Sequence, residues 1–429
     1  MFKITPTHTH EGKNMLHPEI HTRLHTYLEK QQAAYLNLLK QMVSINSFTT
    51  NPAGVNALGR FTAEYFYDLG FKAKTVPSSN PMHGQHLILT RPGRTARKIG
   101  LVSHLDTVYT LHEEQRHNFF WREEGDRIYG PGTVDIKGGT VIIYMILAGL
   151  QAILPELYDE ITWLVLLNAA EEELSDDFGQ VCLQELGDTA LACLVFEGGE
   201  TVNGDWSVVT SRKGRASYHL TVEGKGAHAG AAHQEGANAL VELAHLIQQV
   251  AGMTDYRRDL TFNVGVAAGG TVINRVPHYA SAAVEMRTFS PDVFAEGMAR
   301  MLAFNGQATV RSAVGNYPCR VSVKLMEQTA PWGPNPGSER LLTIWQQTAR
   351  ELGRGLVPEA RGGLSDGNWV WQSVPTLDGL GPIGANSHCS EQSADGLKEQ
   401  EYVLASSFVP KAVLNSLAIL KLTEANGRS

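Results

Sequence analysis

KIGLVS, residues 98–103, is a short apolar run with no polar alternation, the pattern of a strand buried on both faces. The loop that follows opens at once on His104 and Asp106, in LVSHLDTVY. Downstream, the spacing predicts a helix over Gly138–Leu150, an apolar strand over Ile161–Leu167 and another over Ala192–Phe196. Upstream, Leu24, Leu28, Tyr35, Leu38, Leu39 and Met42 recur with helical period, and a second helix covers Val55–Leu69. Strands around Lys72–Val76 and His86–Thr90 connect that helix to KIGLVS. Such alternation predicts an α/β unit, a mainly parallel mixed sheet flanked by helices on both faces.

The rhythm changes near Thr210. Strands at Ser217–Val222, Thr261–Ala267, Ser281–Arg287 and Arg320–Met326, with helices at Ala237–Val250 and Asp292–Phe304, give the order β-α-β-β-α-β of a ferredoxin-like α+β unit. APWGPNPG (Ala330–Gly337) reads as a linker, after which helices over Ser338–Leu352 and Tyr402–Thr423 resume the first unit. The expected organisation is therefore a catalytic first segment at 1–210, an inserted lid at 211–328 and a catalytic second segment at 329–429.

Composition narrows the classes. At 429 residues and 43% hydrophobic, the chain can bury two cores. Its net charge of −8, with acids and bases interspersed, offers no basic stripe for nucleic acid. The longest apolar stretch, Thr140–Leu154, falls short of the ~20 residues a membrane span needs. The polar opening reads as a tail without a signal peptide, and its His8 and His10 read as a chance pair. Cys182, Cys193, Cys319 and Cys389 form no CxxC pair and read as reduced thiols. A soluble, cytoplasmic protein with neither nucleic-acid nor membrane partner is expected.

The chemistry sits after apolar strands or in glycine-rich loops: His104 and Asp106 in LVSHLDTVY, Asp135 in GPGTVDIKGG, Glu171, Glu172 and Glu173 in LNAAEEELS, Glu197 in VFEGGE, and His388 in GPIGANSHCSEQS. Ligands gather at the carboxyl ends of strands in an open parallel sheet, so these side chains can converge. Bare carboxylates crowded together repel, and a His/Asp/Glu mixture suits a divalent metal.

This string of motifs resembles the aminoacylase/carboxypeptidase/desuccinylase superfamily of di-zinc metallopeptidases, and especially its glutamate carboxypeptidase branch, from about Ile99 to His388. The resemblance implies a di-zinc exopeptidase fold with a lid/dimerisation domain and a homodimer. It implies two Zn²⁺ per chain, with Co²⁺ or Mn²⁺ as substitutes. His104 and Glu197 would hold one ion, Glu172 and His388 the other, and Asp135 both. Asp106 would orient His104, Glu171 would be the general base, and a cis peptide would follow Asp135. In the lid, His228 would reach a partner's site, while Asn274 and Arg287 would hold a substrate carboxylate. The activity implied is attack of a zinc-held hydroxide on an amide or peptide bond beside a free carboxylate. A carboxypeptidase or dipeptidase acting on a small peptide comes first, and an N-acyl-amino-acid deacylase or desuccinylase second. KLMEQTAPWGP (Lys324–Pro334) lacks the arginine that would recognise a glutamate substrate. GGLSDGNWVW (Gly362–Trp371) resembles a loop near the site, with Ser365 and Asp366 in supporting roles.

Rival patterns are weaker. Ser365 in GLSDG, with Asp378 and His388 after it, imitates a serine hydrolase, but PEARGG before it is a poor strand. EGKGAHA (Glu223–Ala229) imitates a dinucleotide loop without the acid that should follow. LHEEQRH (Leu111–His117) spaces its histidines so that they diverge around a helix. A non-enzymatic amide-binding sensor would have no chemical need for Glu171.

Overall fold

The computed structural model describes residues 18–173 and 175–426, so the tail with His8 and His10 lies outside the described residues. Its principal sheet has six strands in the order Lys72–Pro77, Gln85–Arg91, Thr162–Asn168, Lys98–His104, Ala190–Val195 and Thr376–Leu377. The first two pairings are antiparallel and the other three parallel, as the alternation predicts. The strand Lys98–His104 lies among its neighbours with every residue after Lys98 buried. It extends past the predicted end because His104 pairs with Asn168.

The helix Gly138–Ile153 fills the space between this sheet and the helices Pro18–Val43 and Phe408–Asn426. Its Ile142, Ile143, Ile146, Leu147 and Leu150 have no exposed surface. Each such side chain contributes roughly 1.5–3 kcal/mol on burial. Continuous with the preceding turn, the segment Thr133–Ile153 is long and apolar enough to span a membrane, longer than the stretch marked in the sequence. It is mostly buried in this core instead. Gly139 explains the tight start of the helix. A Cβ there would lie 2.1 Å from the Phe196 carbonyl oxygen, so only glycine lets the helix abut the segment that leads from the strand Ala190–Val195 to Glu197.

A second sheet spans residues 214–329, with strands in the order Thr261–Gly269, Tyr279–Thr288, Gly214–Glu223 and Arg320–Thr329, all antiparallel. With helices Ala239–Ala251 and Pro291–Leu302 it forms the ferredoxin-like unit, around its own core of Tyr218, Leu220, Leu243, Leu246 and Met286. Its strands alternate inward and outward residues, which is why the sequence periodicity reported them.

Several sequence expectations need correction. APWGPNPG is no free linker. Trp332 is fully buried, and its backbone exchanges two hydrogen bonds with Arg212, so the chain enters and leaves the ferredoxin-like unit side by side. PEARGG is a better strand than its composition indicates. Leu356–Arg361 pairs in parallel with Asp205–Arg212, and Pro358 is tolerated because this strand lies at a sheet edge. Tyr402–Leu404 is a short strand, and the final helix starts only at Phe408.

Candidate metal and catalytic site

At the carboxyl ends of the parallel strands, His104, Asp135, Glu172, Glu197 and His388 come together. His104 Nε2 lies 3.0 Å from Asp135 Oδ1 and 3.9 Å from Glu197 Oε1. His388 Nε2 lies 3.2 Å from Asp135 Oδ2 and 3.0 Å from Glu172 Oε2. Asp135 thus stands between the two histidines, and donor atoms of His104, Asp135 and Glu172 all lie within 4.8 Å of one another. The Asp135–Ile136 peptide is cis, as the resemblance implied.

The electrostatics are those of crowded acids. Burial, together with Asp135, pushes the Glu172 carboxyl up to about 7. Burial also raises Glu171 and Glu197 well above the usual carboxylate range, with neighbouring acids adding to the effect. Burial would raise Asp135 too, but hydrogen bonds to His104 and His388 hold it well below. Its bonds to Asp135 and Glu172 lift His388 to about 11. A divalent cation held among these groups would offset the crowding of acids. Among the described residues Glu172 Oε1 is buried without a hydrogen-bond partner, and a hard donor oxygen left open in a His/Asp/Glu cluster fits a metal ion.

Around these groups the backbone is tied down over long sequence distances. His104 Nδ1 donates to the Asp106 carbonyl at 3.0 Å, which orients the ring with Nε2 toward Asp135. Asp106 does more than orient that ring. Its Oδ1 accepts the Glu171 N–H, and its Oδ2 accepts the Glu172 N–H and the Thr49 hydroxyl. Ala169 and Ala170, which precede the acids, are fully buried and equally fixed. The Ala169 N–H donates to His86 Nδ1, so His86 presents its Nε2–H to Asp177 at 3.2 Å. The Ala170 N–H donates to Asn168 Oδ1, whose amide in turn donates to Asp366. Sequence reading missed His86, Asn168 and Glu401.

The near-miss LHEEQRH has a structural use. Leu111–Arg116 is a short helix from which Glu113 accepts the Ser390 hydroxyl, while His117 Nδ1 lies 2.7 Å from the same oxygen. The loop of His388 is therefore latched two residues beyond that histidine. Ser365 is also accounted for, because its buried hydroxyl donates to Asp378, which Arg212 pairs at 2.7 Å.

These groups border a cleft of about 960 Å³. Arg287 lines it from the second sheet, bonded to Glu285 and to the Gly362 carbonyl. Arg212, Arg215 and Arg361 also line it, each engaged by at least one acid. The described lining residues do not include His228 or Asn274. Those two stand exposed on adjoining loops of the second domain, 224–238 and 270–278, where the Ala229 N–H donates to the Asn274 carbonyl. His228 Nδ1 accepts the N–H groups of Gly230 and Ala231, so its Nε2–H points outward as a donor.

Comparison with known proteins gives a consistent picture. Residues 210–308 match the family model of a peptidase dimerisation domain. Carboxypeptidase G2 of Pseudomonas sp. (strain RS-16) is 30% identical over 361 residues, covering 83% of this chain and 84% of that protein. Succinyl-diaminopimelate desuccinylase of Burkholderia ambifaria is 24% identical over 378 residues, covering 85% and 94%. A tripeptidase structure from Staphylococcus aureus superposes with a TM-score of 0.71 at 20% identity, covering 92% of this chain and 99% of that one.

Proposed function

From the premise that this chain belongs to the aminoacylase/carboxypeptidase/desuccinylase superfamily of metallopeptidases, we propose that it hydrolyses an amide or peptide bond beside a free carboxylate. It is a metal-dependent hydrolase. The finer reading is a carboxypeptidase or dipeptidase that releases a C-terminal amino acid, with N-acyl-amino-acid deacylation as the alternative. The observation that carries it is the convergence of two histidines with Asp135, Glu172 and Glu197, where a buried Glu172 oxygen has no hydrogen-bond partner among the described residues.

In this reading His104 and Glu197 would hold one Zn²⁺, Glu172 and His388 a second, and Asp135 would serve both. When bound, the ions lower the pKa of water and polarise the substrate carbonyl. The protein's residues do the rest. Glu171, its backbone fixed by Asp106 and its carboxyl raised by burial, takes a proton and returns it to the leaving amine. Arg287 presents a planar fork to the substrate carboxylate, and doing so requires it to share or release Glu285.

His228, with Nε2–H fixed as a donor, steadies the developing oxyanion. Because it does not line its own chain's cleft, it acts from a partner in a homodimer formed through the 211–328 domain. The apolar side chains of Leu240, Val241 and Val266, exposed on a helix and edge strand of that domain, fit such an interface. A cytoplasmic location completes the reading.

Elemental analysis, paired with hydrolysis of dipeptide and N-acyl amino-acid panels before and after chelation, tests it. About two metals per chain, with activity lost on chelation and restored by zinc, is the expected result. Hydrolysis by metal-free protein would sink it.

A further inference from the structure

Glu401 has no exposed surface, and among the described residues no lysine or arginine hydrogen-bonds to it. A carboxylate in that position is costly unless donors surround it. Four do. Its Oε1 accepts the N–H of Val134 at 2.8 Å, the N–H of Asp135 at 3.1 Å and the Thr133 hydroxyl at 3.5 Å. Its Oε2 accepts the buried hydroxyl of Tyr109 at 2.7 Å.

The main chain of the same residue faces the other way, where the Glu401 N–H donates to the Cys389 carbonyl at 2.8 Å. Next to it, the Gln400 amide donates to the carbonyls of Ser390 and His117. One short segment therefore grips the backbone of Asp135 with a side chain and the backbone beside His388 with the main chain. The carboxylate and imidazole it connects meet at 3.2 Å, between His388 Nε2 and Asp135 Oδ2.

We propose that Glu401 is a positioning residue that sets the Asp135–His388 pair, and so tunes metal binding at the Asp135/Glu172/His388 end of the site more than at the His104/Glu197 end. This rests on the reading of those residues as metal ligands. The asymmetry arises because His104 ends a central strand and Glu197 follows the end of its neighbour by two residues, whereas His388 sits in a loop, half exposed, with φ of +65°. A carboxylate suits the role better than an amide because charged acceptors bind backbone N–H groups about twice as strongly.

The test compares wild type with Glu401→Gln, which keeps the shape, and Glu401→Ala. Zn²⁺ affinity is measured by chelator competition, and amide hydrogen exchange of residues 133–137 and 386–391 is followed in the metal-free protein. Glu401→Gln is expected to weaken one zinc equivalent about 10- to 100-fold, as loss of an outer-shell partner typically does, and the other, which shares Asp135, by less. Both segments should exchange faster. Unchanged zinc affinity with only a lower Tm would make Glu401 a plain structural carboxylate and overturn the proposal. Equal weakening of both equivalents would overturn its asymmetry. Should the wild type bind no zinc, the metal-hydrolase reading fails, and the exchange data alone decide whether Glu401 holds the two segments. If Glu401→Ala does not fold, the Gln variant carries the test.

Discussion

The floor of the cleft and the loop that carries His228 hold their side chains in opposite ways. On the floor, the Glu171 N–H reaches Asp106 across 65 residues and the Asp135 N–H reaches Glu401 across 266. On the loop, the His228 ring is held, among the described residues, by amides two and three residues away, and it stands exposed. The floor is preorganised before any ligand arrives, which is what electrostatic stabilisation requires. The His228 ring is held locally and completed only by what it meets.

If that contrast is right, damage to the floor and damage to the loop should separate in experiment. The largest effect belongs to Glu171→Gln, expected to lower kcat by about 10²- to 10⁴-fold with metal content intact. Steady-state kinetics beside elemental analysis check this, and loss of metal would blur the distinction between base and ligand. His228→Ala should cost about 10²- to 10³-fold in kcat without moving Tm or metal content. Mixed dimers of Glu171→Gln and His228→Ala chains should recover part of the activity, since one of their two sites has an intact floor and an intact partner histidine. No recovery would return His228 to its own chain.

Asp106→Asn should weaken metal binding by about 10- to 100-fold, because a neutral amide replaces the acceptor shared by Glu171, Glu172 and Thr49. A competition assay reads it directly. The smallest effect on turnover comes from Lys411, which lies in the C-terminal helix behind the floor. Burial, with Arg361 adding to it, pushes the Lys411 ammonium down to about 7. Between that value and the ordinary ~10.4 of lysine, the unfolded chain holds a proton that the folded chain does not, so stability rises with pH across the window. Lys411→Met should flatten that rise in Tm against pH relative to wild type, and an unchanged slope would refute it.

The parts legible in the sequence were those whose signal is local. Asp135 and Glu197 stand in short glycine-flanked motifs, and His104 ends an apolar run, so residue type and position together marked them. The alternation within Gly214–Glu223 likewise reported the second sheet. Glu401 and His86 carry no such mark. Glu401 sits in EQEY among other acids, and only its contact with Val134 and Asp135 distinguishes it. Leu356–Arg361 was illegible because an edge strand needs neither apolar composition nor a full set of backbone donors, so Pro358 misled.

Arg212 and Trp332 join the chain's departure to its return, and the Asn368 amide donates to both Lys213 and Ala330 carbonyls just beyond them. Residues 213–331 therefore pass through a single doorway. A cassette that begins and ends at one place can be exchanged for another of different shape without rethreading the six-stranded sheet. The same floor could then be offered to new substrates by replacing what hangs in the doorway, with the hydrolytic chemistry left as it is.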